Sequence, residues 1–223
     1  AGVIEELRWI TGMMGVTRDL DVFLGETLPV MITQLDSHPG LLALRDKAVA
    51  EQEEACAKAR AAIQSQRYQR LLLTLGVLLE SEPAGAAPCS VVEIAETMLR
   101  KRNKQLRRHG RLLQEASAEE RHLARIASKK LRYAAEFFAC LYPHDKSQPF
   151  LQHLENLQNV LGTLNDIAST RSLILRLAGS QPTKALDEAL HIFSGWNGCH
   201  AMHNLTHMDN VWRTFASQKE FWH

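Results

Sequence analysis

Aromatic side chains make up only 6% of this 223-residue chain. No segment alternates apolar and polar residues in the two-residue rhythm of a half-buried strand. β-Branched runs are scarce, while alanine and leucine are frequent. Sheet architectures are therefore excluded and helices favoured. No apolar run is long enough to span a bilayer, and no signal-peptide pattern opens the sequence. The four cysteines, Cys56, Cys89, Cys140 and Cys199, are too scattered for metal-ligand spacing or a disulfide framework. They are read as reduced thiols of a cytosolic protein. In that setting the sequon Asn204-Leu205-Thr206 carries no meaning. A GxxxxGK[ST] phosphate loop is also missing.

A further absence is local. Between Thr97 and Gln114 there is no acidic residue. From Arg100 to Arg132 there are twelve Lys/Arg and three Asp/Glu, a net +9, whereas the remainder has fourteen and twenty-two, a net −8. Solvated helical faces usually mix signs, because i,i+4 ion pairs support the helix. A concentrated basic block in an otherwise acidic chain points to a polyanionic partner.

The block is ordered. In "HLARIASKKLRYAAEFF", His122, Arg125, Lys129 and Arg132 are spaced three, four and three apart, on one stripe of a helix. Leu123, Ala127, Leu131, Ala134, Phe138 and Leu141 lie on a different side and are expected to face a core. Arg100, Lys104, Arg107 and Arg111 form a second stripe on a preceding helix. Each stripe is roughly 15 Å long at about 1.5 Å per residue, several phosphates of contact. Two stripes on neighbouring helices are expected to make a trough. Arginine offers phosphate a fork of donors and lysine a point charge. Lys101, Arg108, Lys130 and Tyr133 belong to the same candidate surface. His122 is read as a phosphate donor at the mouth of the trough. A packed structural histidine, and a metal-bound or phosphorylated one, are the alternatives. Glu119 is the one Asp, Glu or Cys three or four residues from it.

The pattern predicts helices over Val3–Met14, stopped by Gly15, and over Asp19–Leu35, kinked or split at Pro29. It predicts a long stretch over Leu41–Glu80, bent near Gln64-Ser65, then a linker, "SEPAGAAP". Helices follow over Val91–Leu113, Ala118–Leu141, Phe150–Leu161 and, after Gly162, Asn165–Leu177. A last helical region covers Thr183–Phe215, interrupted at Gly195 and Gly198. "LRWITGMMGVTRDLD" from Leu7 aligns without gaps on "LENLQNVLGTLNDIA" from Leu154. The shared unit reads as helix, glycine stop, acid-started helix, with Asp19 and Asp166 as caps or as holders of a nearby arginine such as Arg18 rather than catalytic carboxylates. His200, His203 and His207 share a helical spacing, but scattered surface histidines are the commoner outcome.

Together, "HLARIASKKLRYAAEFF", "LENLQNVLGTLNDIA", "GVTRDLDVFL", "SQRYQRLL", "LRKRNKQLRRHGRLL" and the closing "KEFWH" resemble the CHAD family, the conserved histidine α-helical domain. The resemblance covers nearly the whole chain. It implies an all-α fold of two helical bundles related by pseudo-twofold symmetry, over residues 1–80 and 90–223, joined by a linker at 81–89. It also implies a basic groove or channel that binds inorganic polyphosphate, with Arg8, Arg18 and Arg67 facing the Arg100 and Arg125 stripes. The first copy's own His/Arg helix is expected upstream of Val3 and is not in this sequence.

A non-enzymatic polyphosphate binder is the favoured reading, in the cytosol or at polyphosphate granules, with sulfate or phosphate as a mimic. No catalytic residue, metal or cofactor is assigned. The alternative is an accessory or regulatory domain of, or an enzyme acting as, a polyphosphate or triphosphate hydrolase. Phosphoryl transfer normally needs a metal held by clustered carboxylates, which the stripes lack. Nucleic acid is disfavoured, since Tyr133 is the one aromatic among the basic segments. No membrane partner is expected.

Overall fold

The computed structural model describes residues 2–35, 37–81, 89–111 and 113–222. Eight α-helices and no strand occur among these residues, so the fold is all-α. The helices are α1 (Val3–Val22), α2 (Leu28–Gln34), α3 (Pro39–Gln64), α4 (Gln66–Glu80), α5 (Val91–His109), α6 (Ala118–Phe138), α7 (His144–Ala178) and α8 (Lys184–Ala216). None is long and apolar enough to cross a membrane, among the described residues. Apart from Ser81 and Cys89, the expected linker lies outside them.

Two expected breaks are real, and each has a local cause. Pro29 has no N–H to continue an α ladder. Immediately before it the chain widens into a π turn, Phe23–Thr27, in which the Leu28 amide reaches back to the Phe23 carbonyl. Ser65 takes an extended conformation, and its hydroxyl accepts the Tyr68 amide at 3.2 Å. The expected bend near Gln64 is thus a full break with a new N-cap.

Four other expected interruptions are not there. α1 runs unbroken through Gly15 and Asp19, α7 through Gly162 and Asp166, and α8 through Gly195 and Gly198. The supposed glycine stop and acidic cap of the repeat are therefore mid-helix positions. A glycine costs a helix only about 0.5–1 kcal/mol relative to alanine. Long helices with buried faces on both sides of it tolerate that loss.

The chain divides into two compact units, Ala1–Gly85 with Thr170–Ser194, and Ala86–Ser169 with Gly195–His223. The sequence placed all of 90–223 in the second bundle. The tertiary contacts instead give residues 170–194 to the first unit, a non-local exchange that no local signal announces.

In the first unit Ile10, Ala62 and Leu71 form a small core with Trp9, Met13, Tyr68 and Leu75 around it. Phe23 packs on Phe193, with ring centroids 5.8 Å apart. Gly40 touches α8 so closely that an added Cβ would stand 2.0 Å from the Ala185 carbonyl oxygen.

The core of the second unit draws on α5, α6, α7 and the closing segment. One side of α5 (Ala95, Leu99, Leu106) and one side of α6 (Ala124, Ala127, Leu131, Ala135, Phe138) are buried against Phe150, Leu154, Leu157 and Leu161 of α7. Phe221 and Trp222 of the closing segment are buried too, with Phe150 within 5.5 Å of both ring centroids. Phe221 and Trp222 are therefore core elements.

Candidate basic site

The second unit positions the α6 stripe by burying the helix's opposite face. Ser117 caps α6 in a capping box: its hydroxyl accepts the Glu120 amide at 3.2 Å, and Glu120 Oε2 accepts the Ser117 amide at 2.7 Å. Donation from Ser117, above all from its backbone amide, holds the Glu120 carboxyl below its ordinary value. The helix then buries Ala124, Ala127, Ser128, Leu131, Ala134, Ala135 and Phe138. Leu123 and Leu141, expected in the core, are exposed instead. Seven buried positions fix the roll of the helix and leave no room for a second apolar line.

One residue on from that buried face come His122, Arg125, Lys129 and Arg132. His122 is exposed and the three cations are half-buried. α7 lines this side. His122 Nδ1 lies 2.6 Å from Asn165 Oδ1. Arg132 donates to Glu136 Oε1 at 2.6 Å and to Gln158 Oε1 at 3.2 Å, and lies 3.8 Å from Glu155. Those carboxylates raise the Arg132 pKa further above its already high ordinary value, the Glu136 hydrogen bond contributing most.

Gln158, Gly162 and Asn165 are spaced four and three apart, on one face of α7. Between Gln158 and Asn165, which reach the two ends of the α6 stripe, stand buried Leu161 and, beside it, Gly162. No atom lies within 4 Å of where a Cβ would stand there.

The α5 stripe has a different neighbour. Arg107 donates to the Ala216 carbonyl at the end of α8 at 3.0 Å. A Cβ on Gly110 would fall 1.9 Å from Trp212 Cη2. Buried Asn103 donates to Glu220 Oε1 at 2.5 Å. α7 borders the α6 stripe, and the end of α8 borders the α5 stripe. Arg107, a candidate ligand in the sequence, rests its half-buried guanidinium on a backbone carbonyl. Asn103 and Glu220 were missed in the sequence. An asparagine in a basic helix and a glutamate near a chain end carry no signal of pairing across 117 positions.

Arg100, Lys101, Lys104, Arg108, Arg111 and Lys130 are exposed, and Arg125 is half-buried. None forms an ion pair with a described carboxylate at 4.0 Å or less. Tyr133 is exposed beside them. In the first unit Arg8 and Arg18 are exposed on α1. Arg67 is not available in the same way. It donates to Glu6 Oε2 at 2.6 Å and to Oε1 at 3.2 Å, and its guanidinium lies 4.0 Å from the centre of the Trp9 ring. It locks α4 to α1.

No group of three or more His, Cys, Asp or Glu side chains is placed to hold a metal, among the described residues. His200 stacks on Trp196, and His203 packs edge-on against His207. These are ring contacts within α8, not a convergent donor set.

An all-helical chain of two units, one with exposed cations on consecutive helices that form no ion pair among the described residues, is the class that the geometry defines. The CHAD domain family model matches residues 1–175, and the chain belongs to that family. The crystal structure of the CHAD domain from the plant Ricinus communis is similar in fold. It superposes with a TM-score of 0.82 at 29% sequence identity, over 97% of this chain and 72% of that one. No curated protein matches the chain.

Proposed function

We propose that this protein binds inorganic polyphosphate, without hydrolysing it, on the basic faces of α5 and α6. The observation that carries the reading is the run of cations without carboxylate partners among the described residues: Arg100, Lys101, Lys104 and Arg108 on α5, Arg111 in the turn after it, and Arg125 and Lys130 on α6. Like charges held close together repel, and a multivalent anion relieves that repulsion. Membership of the CHAD family supports the choice of polyphosphate among polyanions. His122 and Lys129 extend the face, while Arg132 sits at its carboxylate-bounded end. Arg8 and Arg18 supply exposed cations on the first unit. Two carboxylates beside the α6 stripe, Glu136 and Glu155, are engaged with Arg132. That arrangement suits binding better than hydrolysis. A cytosolic setting, at polyphosphate-rich bodies, accords with the same reading.

Titration with orthophosphate, a short polyphosphate and a long one, at two salt concentrations, tests this. Affinity is expected to rise with chain length and to fall steeply with salt, because each phosphate contact releases counterions. Equal affinity for orthophosphate and the long chain would overturn the reading. Release of phosphate from the long chain in the presence of a divalent metal would overturn its non-hydrolytic part. Displacement of labelled polyphosphate by equal phosphate equivalents of RNA would show a general polyanion site.

A further inference from the structure

We propose that Asn165 is a positioning residue for His122: it fixes the imidazole in the Nδ1–H tautomer, so that the site must take up a proton when His122 takes up phosphate. The inference deepens the polyphosphate reading and rests on it for the ligand, though not for the tautomer.

His122 Nδ1 and Asn165 Oδ1 are 2.6 Å apart. An amide has one accepting and one donating edge, and the edge turned to the ring decides which nitrogen carries the proton. The neighbouring residue makes that choice. Asp166 Oδ1 lies 3.4 Å from Asn165 Nδ2. A carboxylate only accepts, so it draws the NH2 edge toward itself and leaves the carbonyl edge for the imidazole. Nδ1 must then be the donor, and the neutral ring carries its lone pair on Nε2.

That lone pair is the wrong group for a phosphate oxygen, because two acceptors repel. Only the imidazolium, which donates from both nitrogens, can keep Asn165 on one side and hold a phosphate on the other. The second proton therefore arrives with the ligand. Charged groups flank the His122–Asn165 pair on two elements. On α6, Glu119 and Arg125 lie one turn to either side; on α7, Asp166 lies behind the amide. Arg125 opposes a second positive charge, whereas Glu119, Asp166 and the incoming phosphates favour it. The same-face spacing of His122 and Arg125 puts both within reach of one stretch of polyphosphate.

Two measurements on the full chain test the relay. In the first, histidine ring nitrogens of labelled protein are correlated with their ring protons at a pH where the rings are neutral, and His122→Gln identifies the signal. The parent is expected to show the Nδ1–H pattern. Asn165→Leu is expected to lose it, and Asn165→Asp to retain it, because a carboxylate also accepts from Nδ1. A parent in the Nε2–H form, or an unchanged pattern in Asn165→Leu, would overturn the positioning role.

In the second, long-chain polyphosphate is titrated calorimetrically in two buffers of different ionisation enthalpy. The parent is expected to take up a fraction of a proton on binding, and His122→Gln measurably less. Asn165→Leu should weaken binding roughly tenfold, the loss of one charge-assisted contact, and should add nothing in the His122→Gln background. Equal proton uptake by parent and His122→Gln would overturn the coupling. Failure of the parent to bind polyphosphate at all would overturn the functional reading and the coupling together. The ring-nitrogen pattern would still decide the tautomer.

Discussion

Arg132 Nε donates to Glu136 Oε1 at 2.6 Å, one turn along α6, while the same guanidinium faces Glu155 of α7 at 3.8 Å. In the sequence Glu136 is the one acid on the continued stripe. In the fold a second carboxylate arrives from another helix. The basic stripe therefore has an acidic end, and a polyanion there must compete with two carboxylates for Arg132. Replacing both by glutamine is expected to strengthen polyphosphate binding several-fold, with the largest gain at low salt. Stability should change by no more than about 1 kcal/mol, as for other partly exposed ion pairs. Parallel titrations of parent and double variant, with melts of both, check this. Weaker binding in the double variant would show that the carboxylates orient Arg132 for the ligand.

Replacing Arg125 alone by glutamine should weaken polyphosphate binding and leave the ligand-free melting temperature almost unchanged. The side chain forms no ion pair with a described carboxylate, and glutamine preserves helix propensity. A drop of several kcal/mol would mean that Arg125 serves the fold.

Gly162 combines two effects of opposite sign. Alanine there should stabilise the protein by about 0.5–1 kcal/mol, since the position is helical and the space for a Cβ is open. If polyphosphate lies against α7 at this open position, a larger side chain should obstruct it. Gly162→Val is expected to lose affinity while Gly162→Ala loses less. Chemical denaturation and polyphosphate titration of both variants separate the two effects.

Trp222 and Gly110 test how far the second unit depends on its ends. Trp222 is wholly buried against Phe150 and Phe221. Truncating it to alanine should cost about 3–5 kcal/mol. Gly110→Ala should cost about 1–3 kcal/mol through overpacking against Trp212. Denaturant midpoints measure both. A near-neutral Gly110→Ala would show that the Trp212 ring can turn aside.

The Glu6–Arg67 pair gives the first unit an acid-sensitive contact. The hydrogen bond from Arg67 holds the Glu6 carboxyl below its ordinary value of 4.5. A depressed carboxyl contributes stability that is fully present above 4.5 and is lost as pH falls through its lower folded value. Trp9 lies under the Arg67 guanidinium, so its emission should change over that acid range. In Glu6→Gln this transition should vanish while emission at neutral pH stays close to the parent's. An unaltered acid transition in the variant would assign it to another carboxylate.

The sequence by itself determined the all-helical fold, the family, the two breaks at Pro29 and Ser65, and the basic faces of α5 and α6. All are local: a missing N–H, a capping hydroxyl, a three-and-four spacing of charges. Tertiary structure decided which cations stay unpaired. Arg67, Arg107 and Arg132 look the same in sequence as Arg100 or Arg125, but each meets an acceptor 61, 109 or 23 to 26 positions away. It also carried α1, α7 and α8 straight through their glycines, because burial along a long helix outweighs a penalty of about 1 kcal/mol. The assignment of residues 170–194 to the first unit, and the meeting of His122 with Asn165, arise the same way. Both depend on where distant parts of the chain come to rest, and no period in the sequence records that.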